Sequence, residues 1–140
     1  MAYSASDNDI VARYIKSLSL YSSDRKKLKY SAFMNNNKPM KEISVFQIKD
    51  LVIGFNENEI WNIANEYIYK NSEIKVKARG DLTVSEVRKI ICDGNNLDVM
   101  IDGIPMFRHG NIKFQPSNEE IEKLVAIDLA NKANAVLVKI

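Results

Sequence analysis

Three segments of this chain begin with the same pattern, in which a helix-capping side chain is followed three residues later by glutamate. In such a capping box each side chain bonds the backbone N–H of the other residue, which satisfies two donors at the start of a helix. An apolar stripe at helical spacing follows each pair and indicates a helix. The pairs are Asn56 with Glu59, Thr83 with Glu86, and Ser117 with Glu120, and they predict helices over 56–70, 83–91 and 117–132.

A shorter helix is predicted over residues 9–18, because Ile10, Tyr14, Ile15 and Leu18 keep a helical spacing. If it forms, the chain has four helices rather than three.

Most of the remaining apolar segments have the period of two that is typical of strands, or are rich in β-branched and aromatic residues. They are residues 43–48, 74–79, 97–102, 112–114 and 135–140. A hairpin through residues 30–48 is plausible, and residues 80–83 are interpreted as a turn. The last segment is almost continuously apolar, so we expect it to be a central strand.

The order of these segments predicts an α+β fold with a mixed sheet and about three to four helices. At 140 residues the chain suits a single domain. We expect residues 1–8, which are small and polar, to be a flexible N-terminus, and residues 9–140 to form one globular domain.

Composition narrows the class of protein. No run approaches the ~20 apolar residues needed to cross a bilayer, and the N-terminus lacks the order of a signal peptide, so we expect a cytoplasmic protein without a membrane partner. The net charge of +2 is too small to indicate nucleic acid from bulk electrostatics.

The single Cys92 excludes an internal disulfide, and its neighbours Ile90 and Ile91 favour a buried, inert thiol.

Several familiar sites are missing from the sequence. It has neither GxxxxGK[ST] nor GxGxxG. One cysteine and one histidine cannot supply a structural zinc site, so no metal or cofactor is predicted. A pairing of Cys92 with His109 is disfavoured, because Cys92 is expected at the buried end of a helix. A Ser-His-Asp set stays open, although no nucleophile-elbow sequence is present.

The best candidate site combines Arg79 and Asp81 with Arg108, His109 and Asn111. Arginine offers a planar fork for phosphate or carboxylate, and histidine can act as an acid, a base or a plain donor. We hypothesise that these two distant segments face a common hollow that binds a phosphorylated ligand. A structural histidine in a loop, and an ordinary ion pair of Arg108 with Asp81 or Asp102, are the alternatives.

Two basic segments extend this hypothesis. Strict alternation over residues 74–79 places Lys75, Lys77 and Arg79 on one strand face, either as a solvent-facing surface or as an anion-binding ridge. The run from Arg25 to Lys29 is the densest in positive charge and lies beside Tyr30, so it is either a solvated loop or a phosphate-contacting patch.

The chain also resembles a family of small, uncharacterised bacterial proteins. Family members carry S-A-F-M-P, S-V-F-R, E-I-W, R-A-D-L-T and R-H-A-N-I segments in the same order. The corresponding residues are Ser31–Met34, Ser44–Phe46, Glu59–Trp61, Arg79–Thr83 and Arg108–Ile112, followed by Leu129, Ala130 and Ala133. Asn35 replaces the family proline, Gln47 an arginine, and Gly80 and Gly110 alanines. The resemblance groups these residues, supplies no chemistry, and suggests an association with mobile elements and phage-conflict genes.

These observations favour a small binding module for an anionic ligand, such as a nucleotide or a nucleic-acid phosphate, accessory to a phage-conflict or mobile-element system. Arg79, Asp81, Arg108 and Asn111 would bind the ligand, with Lys75 and Lys77 beside them. One alternative is a phosphoryl-transfer, ribosyl-transfer or nuclease-type enzyme with His109 as the catalytic residue. Another is a protein-interaction partner such as an antitoxin or accessory subunit. The sequence does not decide whether the protein is an enzyme, and a homo-oligomer is possible.

Overall fold

A seven-stranded sheet is the centre of the computed structural model, which describes residues 2–34, 39–52, 54–65, 75–103 and 108–138. Its strands are β1 Tyr3–Ser4, β2 Ile10–Ile15, β5 Lys41–Lys49, β6 Ala78–Thr83, β9 Asp98–Ile101, β10 His109–Phe114 and β11 Asn134–Leu137. Across the sheet they lie in the order β1-β9-β10-β5-β2-β6-β11. Every neighbouring pair is antiparallel, so the sheet is not mixed as predicted. β1 belongs to the segment expected to be flexible.

Two small hairpins and three helices complete the described residues. One hairpin pairs β3 (Tyr21–Ser22) with β4 (Lys27–Leu28), and the other pairs β7 (Ile91–Cys92) with β8 (Asn95–Asn96). The α-helices are α1 (Glu57–Ile63), α2 (Val84–Arg88) and α3 (Glu119–Lys132), and 3-10 turns occupy Leu18–Leu20 and Tyr30–Phe33. The α+β class and the single domain are therefore confirmed.

The two faces of the sheet carry separate apolar clusters, because successive side chains of a strand point to opposite faces. α2 and α3 cover one face, where Val87 and Leu129 pack with Val11, Val45 and Ile112. α1 covers part of the other, where Ile60 packs with Ala12, Tyr14 and Phe46. We call this second face the site face. No helix among the described residues has the length and apolar character that a membrane crossing requires.

The helix predicted over residues 9–18 is wrong, because Ile10–Ile15 is strand β2. β2 pairs with β5 on one side and with β6 on the other. A strand that is covered on both faces has apolar residues at nearly every position, and such a run can match a helical spacing by chance.

The last strand was also misplaced. Among the described residues β11 pairs with β6 alone and lies at the edge of the sheet, whereas an apolar run had suggested a central position. Residues 139 and 140 lie outside the described part of the chain. Residues 80–83, predicted as a turn, are the second half of β6. The hairpin expected through residues 30–48 does not form, because Tyr30–Phe33 is a 3-10 turn and β5 pairs with β2 and β10.

The helix starts were predicted more accurately. Asn56 and Glu59 form the expected capping box, although residues 66–70 of the predicted helix are outside the described part. Thr83 accepts a hydrogen bond from the Glu86 N–H, but α2 ends at Arg88, before Ile91. α3 is capped by Asn118 instead of Ser117.

Candidate functional site

The predicted site residues lie on one face of the sheet but in two clusters. His109 is the cross-strand partner of Phe46, Phe46 of Ala12, and Ala12 of Asp81. Cross-strand partners share a face, so His109 and Asp81 both lie on the site face. They are separated by three strand spacings, or about 14 Å. The single hollow that we expected between residues 79–81 and 108–111 is therefore two separate arrangements.

The first cluster is built around the guanidinium of Arg79, whose side chain is 3% exposed. Its Nε donates to Oδ1 of Asp81 at 2.9 Å. Its Nη1 and Nη2 donate to the two carboxylate oxygens of Glu57 at 3.1 and 2.8 Å. The Trp61 ring lies 4.6 Å from the guanidinium carbon, a cation–π distance. Each of the three guanidinium nitrogens of Arg79 therefore donates a hydrogen bond to a carboxylate.

The position of Glu57 follows directly from the capping box. Asn56 ends the preceding segment and caps α1, so Glu57 is the first helical residue. A carboxylate in the first turn is favoured there by the helix dipole. The Glu57 side chain is nevertheless 64% exposed, so the partner of the Arg79 fork lies at the surface while the fork itself is buried.

The pKa values in this cluster reflect the balance of burial and charge. Burial by itself would lower the pKa of Arg79, but hydrogen bonds to Glu57 and Asp81 outweigh it and raise that pKa. Burial raises the pKa of Asp81 and is only partly offset by Arg79. The two directions have different origins, because attraction to the carboxylates dominates at Arg79 and burial dominates at Asp81. Arg79 stays positively charged throughout the physiological pH range.

A cavity of about 370 Å³ lies against this cluster. Arg79, Asp81 and Glu57 form part of its wall, together with Lys49 and Lys132. The apolar part of the wall comprises Ile10, Ile48, Phe55, Ile60 and Leu82. The polar residues Thr83, Glu86 and Asn134 complete the wall, so polar and apolar side chains share it. A concave site of this size is typical of small-molecule binding sites.

Lys75 and Lys77 do not form a continuous ridge with Arg79. They precede β6 and are exposed, whereas Arg79 is buried beneath α1. The backbone of Lys77 still pairs with Ile15 and Val138. Ile74 lies outside the described residues.

Arg108 contacts Gln47, Asp50 and Phe55. It has a positive φ of 74°, a conformation that is strained for a residue with a Cβ. Its Nη1 donates to Gln47 and to Asp50, at 3.2 and 3.3 Å, and its guanidinium lies 4.9 Å from the Phe55 ring centre. Gln47 also donates to Asp9 at 2.8 Å. This buried network holds the start of β10. Phe107 is outside the described residues.

The second cluster is a hydrogen-bonded chain through His109. Nδ1 of His109 lies 2.8 Å from Oδ1 of Asp102, and Nε2 lies 2.7 Å from Oγ of Ser44. Asn111 donates to Oδ2 of Asp102 at 3.2 Å, and the edge of the imidazole meets the Phe46 ring. An ionised carboxylate only accepts, so in the neutral form of the imidazole Nδ1 carries the proton toward Asp102 and Nε2 accepts from the Ser44 hydroxyl.

Backbone pairing holds this chain in place. Ser44 is the cross-strand partner of Asn111, and the backbone N–H groups of Asp102 and Gly103 both donate to the His109 carbonyl. Asp102, His109 and Ser44 therefore come from three adjacent segments of one sheet face. Within the part of the chain that the structure describes, no group of three or more histidine, cysteine and acidic side chains is arranged to hold a metal ion.

Sequence reasoning missed Glu57 and Ser44 as members of these clusters. The capping box marked Asn56 as a cap and so placed Glu57 at the helix start, a signal that could have been used. Ser44 carries no local signal, because it reaches His109 only through the β5–β10 register.

Comparisons of the chain with protein-family models, with curated proteins and with solved structures found no match.

Proposed function

We propose that this protein binds an anionic ligand, a nucleotide or a nucleic-acid phosphate, in the cavity beside Arg79. The observation that carries the proposal is a buried guanidinium in the cavity wall whose bidentate partner, Glu57, is 64% exposed. A phosphate or carboxylate presents the same pair of oxygens to the fork as Glu57 does. The ligand would therefore take the place of Glu57, and Asp81 would keep its bond to Nε.

The exchange at the fork is close to neutral, because the ligand oxygens make the same two charge-assisted hydrogen bonds to Nη1 and Nη2 that the Glu57 carboxylate makes. Further contacts in the cavity therefore decide whether a ligand displaces Glu57. A free carboxylate in solution makes none of these contacts and gains little.

The other residues of the cavity suit the rest of such a ligand. Lys49 and Lys132 add positive charge to the wall, where Glu57, Asp81 and Glu86 carry negative charge. Displacement of Glu57 would leave three cations and two carboxylates around the ligand, which favours an anion. The apolar side chains Phe55, Ile60 and Leu82 offer surface to a flat or apolar body such as a base. These features support a nucleotide over a simple inorganic anion.

Titration calorimetry with adenosine monophosphate, inorganic pyrophosphate and a short single-stranded oligonucleotide tests this proposal. Glu57→Gln removes the charge of the side chain that competes with the ligand for Arg79, so we expect up to about fivefold tighter binding. Arg79→Lys removes the planar fork, and we expect about 10- to 100-fold weaker binding. The matched controls are Glu119→Gln, which removes an exposed first-turn glutamate of α3, and Arg25→Lys in the turn of the β3–β4 hairpin. Both should bind as the wild type does.

Circular dichroism establishes that each variant is folded before its affinity is compared. The proposal fails if none of the three probes binds at millimolar concentration. It also fails if Glu57→Gln and Glu119→Gln have the same affinity as the wild type.

A further inference from the structure

We propose that Ser44, His109 and Asp102 form a second, separate site, which is a nucleophilic site for carboxylic esters. It lies about three strands away from Arg79 and does not depend on ligand binding there. The chain of contacts runs from Asp102 through His109 to Ser44, with both imidazole nitrogens within 2.8 Å of their partners. A hydroxyl bonded to an imidazole that is itself oriented by a carboxylate is the arrangement that turns serine into a nucleophile.

The tautomer of His109 determines that the proton of the Ser44 hydroxyl would move to the imidazole. With Nδ1 protonated toward Asp102, the lone pair of Nε2 faces the Ser44 hydroxyl. Asp102 is fixed in turn, because Asn111 donates to its second oxygen. Asn111 and Asp102 are therefore positioning residues, and Ser44 and His109 are the groups that would touch the reacting atoms.

The solvent exposure of His109 and of Ser44 differs in the way that this reaction requires. The His109 side chain is 11% exposed, so water is largely kept from the imidazole. Ser44 is partly exposed, and so are its face neighbours Glu42, Met100 and Lys113. An ester can therefore reach Ser44 from solvent without opening the sheet.

The strained residue beside the site supports this assignment. Arg108 precedes His109 directly and is held at a φ of 74° by its bonds to Gln47 and Asp50. Strained backbone of this kind persists where the surrounding structure fixes it, and it is concentrated at functional sites. Here it sets the entry of β10 and thereby the position of the imidazole.

The reaction balances without any further component. Oγ of Ser44 attacks the acyl carbon while its proton passes to Nε2 of His109. The bond from the acyl carbon to the alkoxide oxygen breaks, and the leaving alkoxide takes that proton. Water then attacks the acyl-serine with the same imidazole as base, and the carboxylic acid and the free Ser44 hydroxyl are released.

A fluorophosphonate probe tests this site, because it labels only a serine whose hydroxyl is activated. The full-length wild type should gain one adduct per chain, which peptide mass mapping assigns to Ser44 and not to exposed Ser31. Asp102→Asn keeps the shape but favours the wrong tautomer, so labelling should slow at least 100-fold. His109→Gln removes the base and should abolish the labelling of Ser44.

Ser31→Ala is the matched control and should label at the wild-type rate. The wild-type result alone decides the proposal if a variant fails to fold. An unlabelled Ser44 in the wild type overturns it. Equal labelling of Ser44 in folded Asp102→Asn also overturns it, because the contacts would then be structural only.

Discussion

At Gly110 the strands β9 and β10 come closer than a side chain would allow. A Cβ built there would lie 2.5 Å from the carbonyl oxygen of Met100, and 2.8 Å from Cδ1 of Ile101. The first of these atoms is backbone and cannot rotate away. The packing of β9 against β10 therefore requires glycine at this position.

Gly110→Ala should lower the free energy of unfolding by about 1–3 kcal/mol, because the added methyl group must push β9 away from β10. Urea denaturation measures this. Gly80→Ala is the matched control: its nearest contact is Cδ1 of Leu28 at 2.7 Å, the end of a side chain that can move, so a smaller loss is expected. Equal losses at the two positions would contradict the account.

Cys92 was predicted to be a buried, inert thiol, and the buried part is confirmed. It is 3% exposed, and it lies in strand β7 instead of at the end of a helix. Burial, together with the negative charge of Asp93, raises the pKa of its thiol. A thiol that holds its proton is a poor nucleophile, so the prediction of inertness stands as a prediction with a physical reason.

At the residue scale, the sequence identified chemical types better than it identified neighbours. It singled out His109, Arg79 and Asp81, and all three lie in polar clusters of the site face. It could not assign their partners, because Ser44 and Glu57 are 65 and 22 residues away along the chain from the groups that they bind. Such pairs depend on strand register and helix docking, which no local pattern encodes.

At the scale of elements, the β3–β4 hairpin shows how a basic run can have a structural use. Nζ of Lys27 donates to the carbonyls of Asn131 and Ala133 at 2.9 and 3.0 Å, at the C-terminus of α3. These carbonyls have no partner within the helix, and a cation is favoured beside them. Arg25 donates to the Asn131 side chain. The hairpin therefore caps α3, and the phosphate-contacting alternative for residues 25–29 stays a prediction.

Lys27→Met should destabilise the fold by about 1 kcal/mol, because two helix-end carbonyls lose a charged donor while the side chain keeps its length. Thermal denaturation measures the change. Lys29→Met removes a charge from the same run at an exposed position and should have a much smaller effect. The interpretation is wrong if the two variants melt at the same temperature.

The elements were predicted well where their signals are local. Capping residues act within one turn, so the starts of α1 and α2 were correct. β2 was misread because its burial comes from strands that are distant in sequence, β5 and β6. β11 was misplaced for the same reason, since an apolar run does not say on how many sides a strand is paired.

At the scale of the whole molecule, the site face holds two polar clusters with an aromatic row between them. Phe46 contacts His109 at one end, Tyr14 lies between Phe46 and Trp61, and Trp61 meets Arg79 at the other end. The antiparallel order of the strands creates this arrangement. The sequence predicted one α+β domain but no strand order, and the strand order is what separates His109 from Arg79.

The central claim is that an anion enters the Arg79 cavity by taking the place of Glu57. The most direct measurement is an NMR titration of the ¹⁵N-labelled protein with inorganic pyrophosphate, following the backbone amides and the Arg79 Nε–H. The account predicts saturable shifts at Glu57, Arg79, Asp81 and Thr83, with one common dissociation constant. Shifts confined to residues 25–29 or to the His109 cluster, with an unchanged Arg79 Nε–H signal, would contradict it.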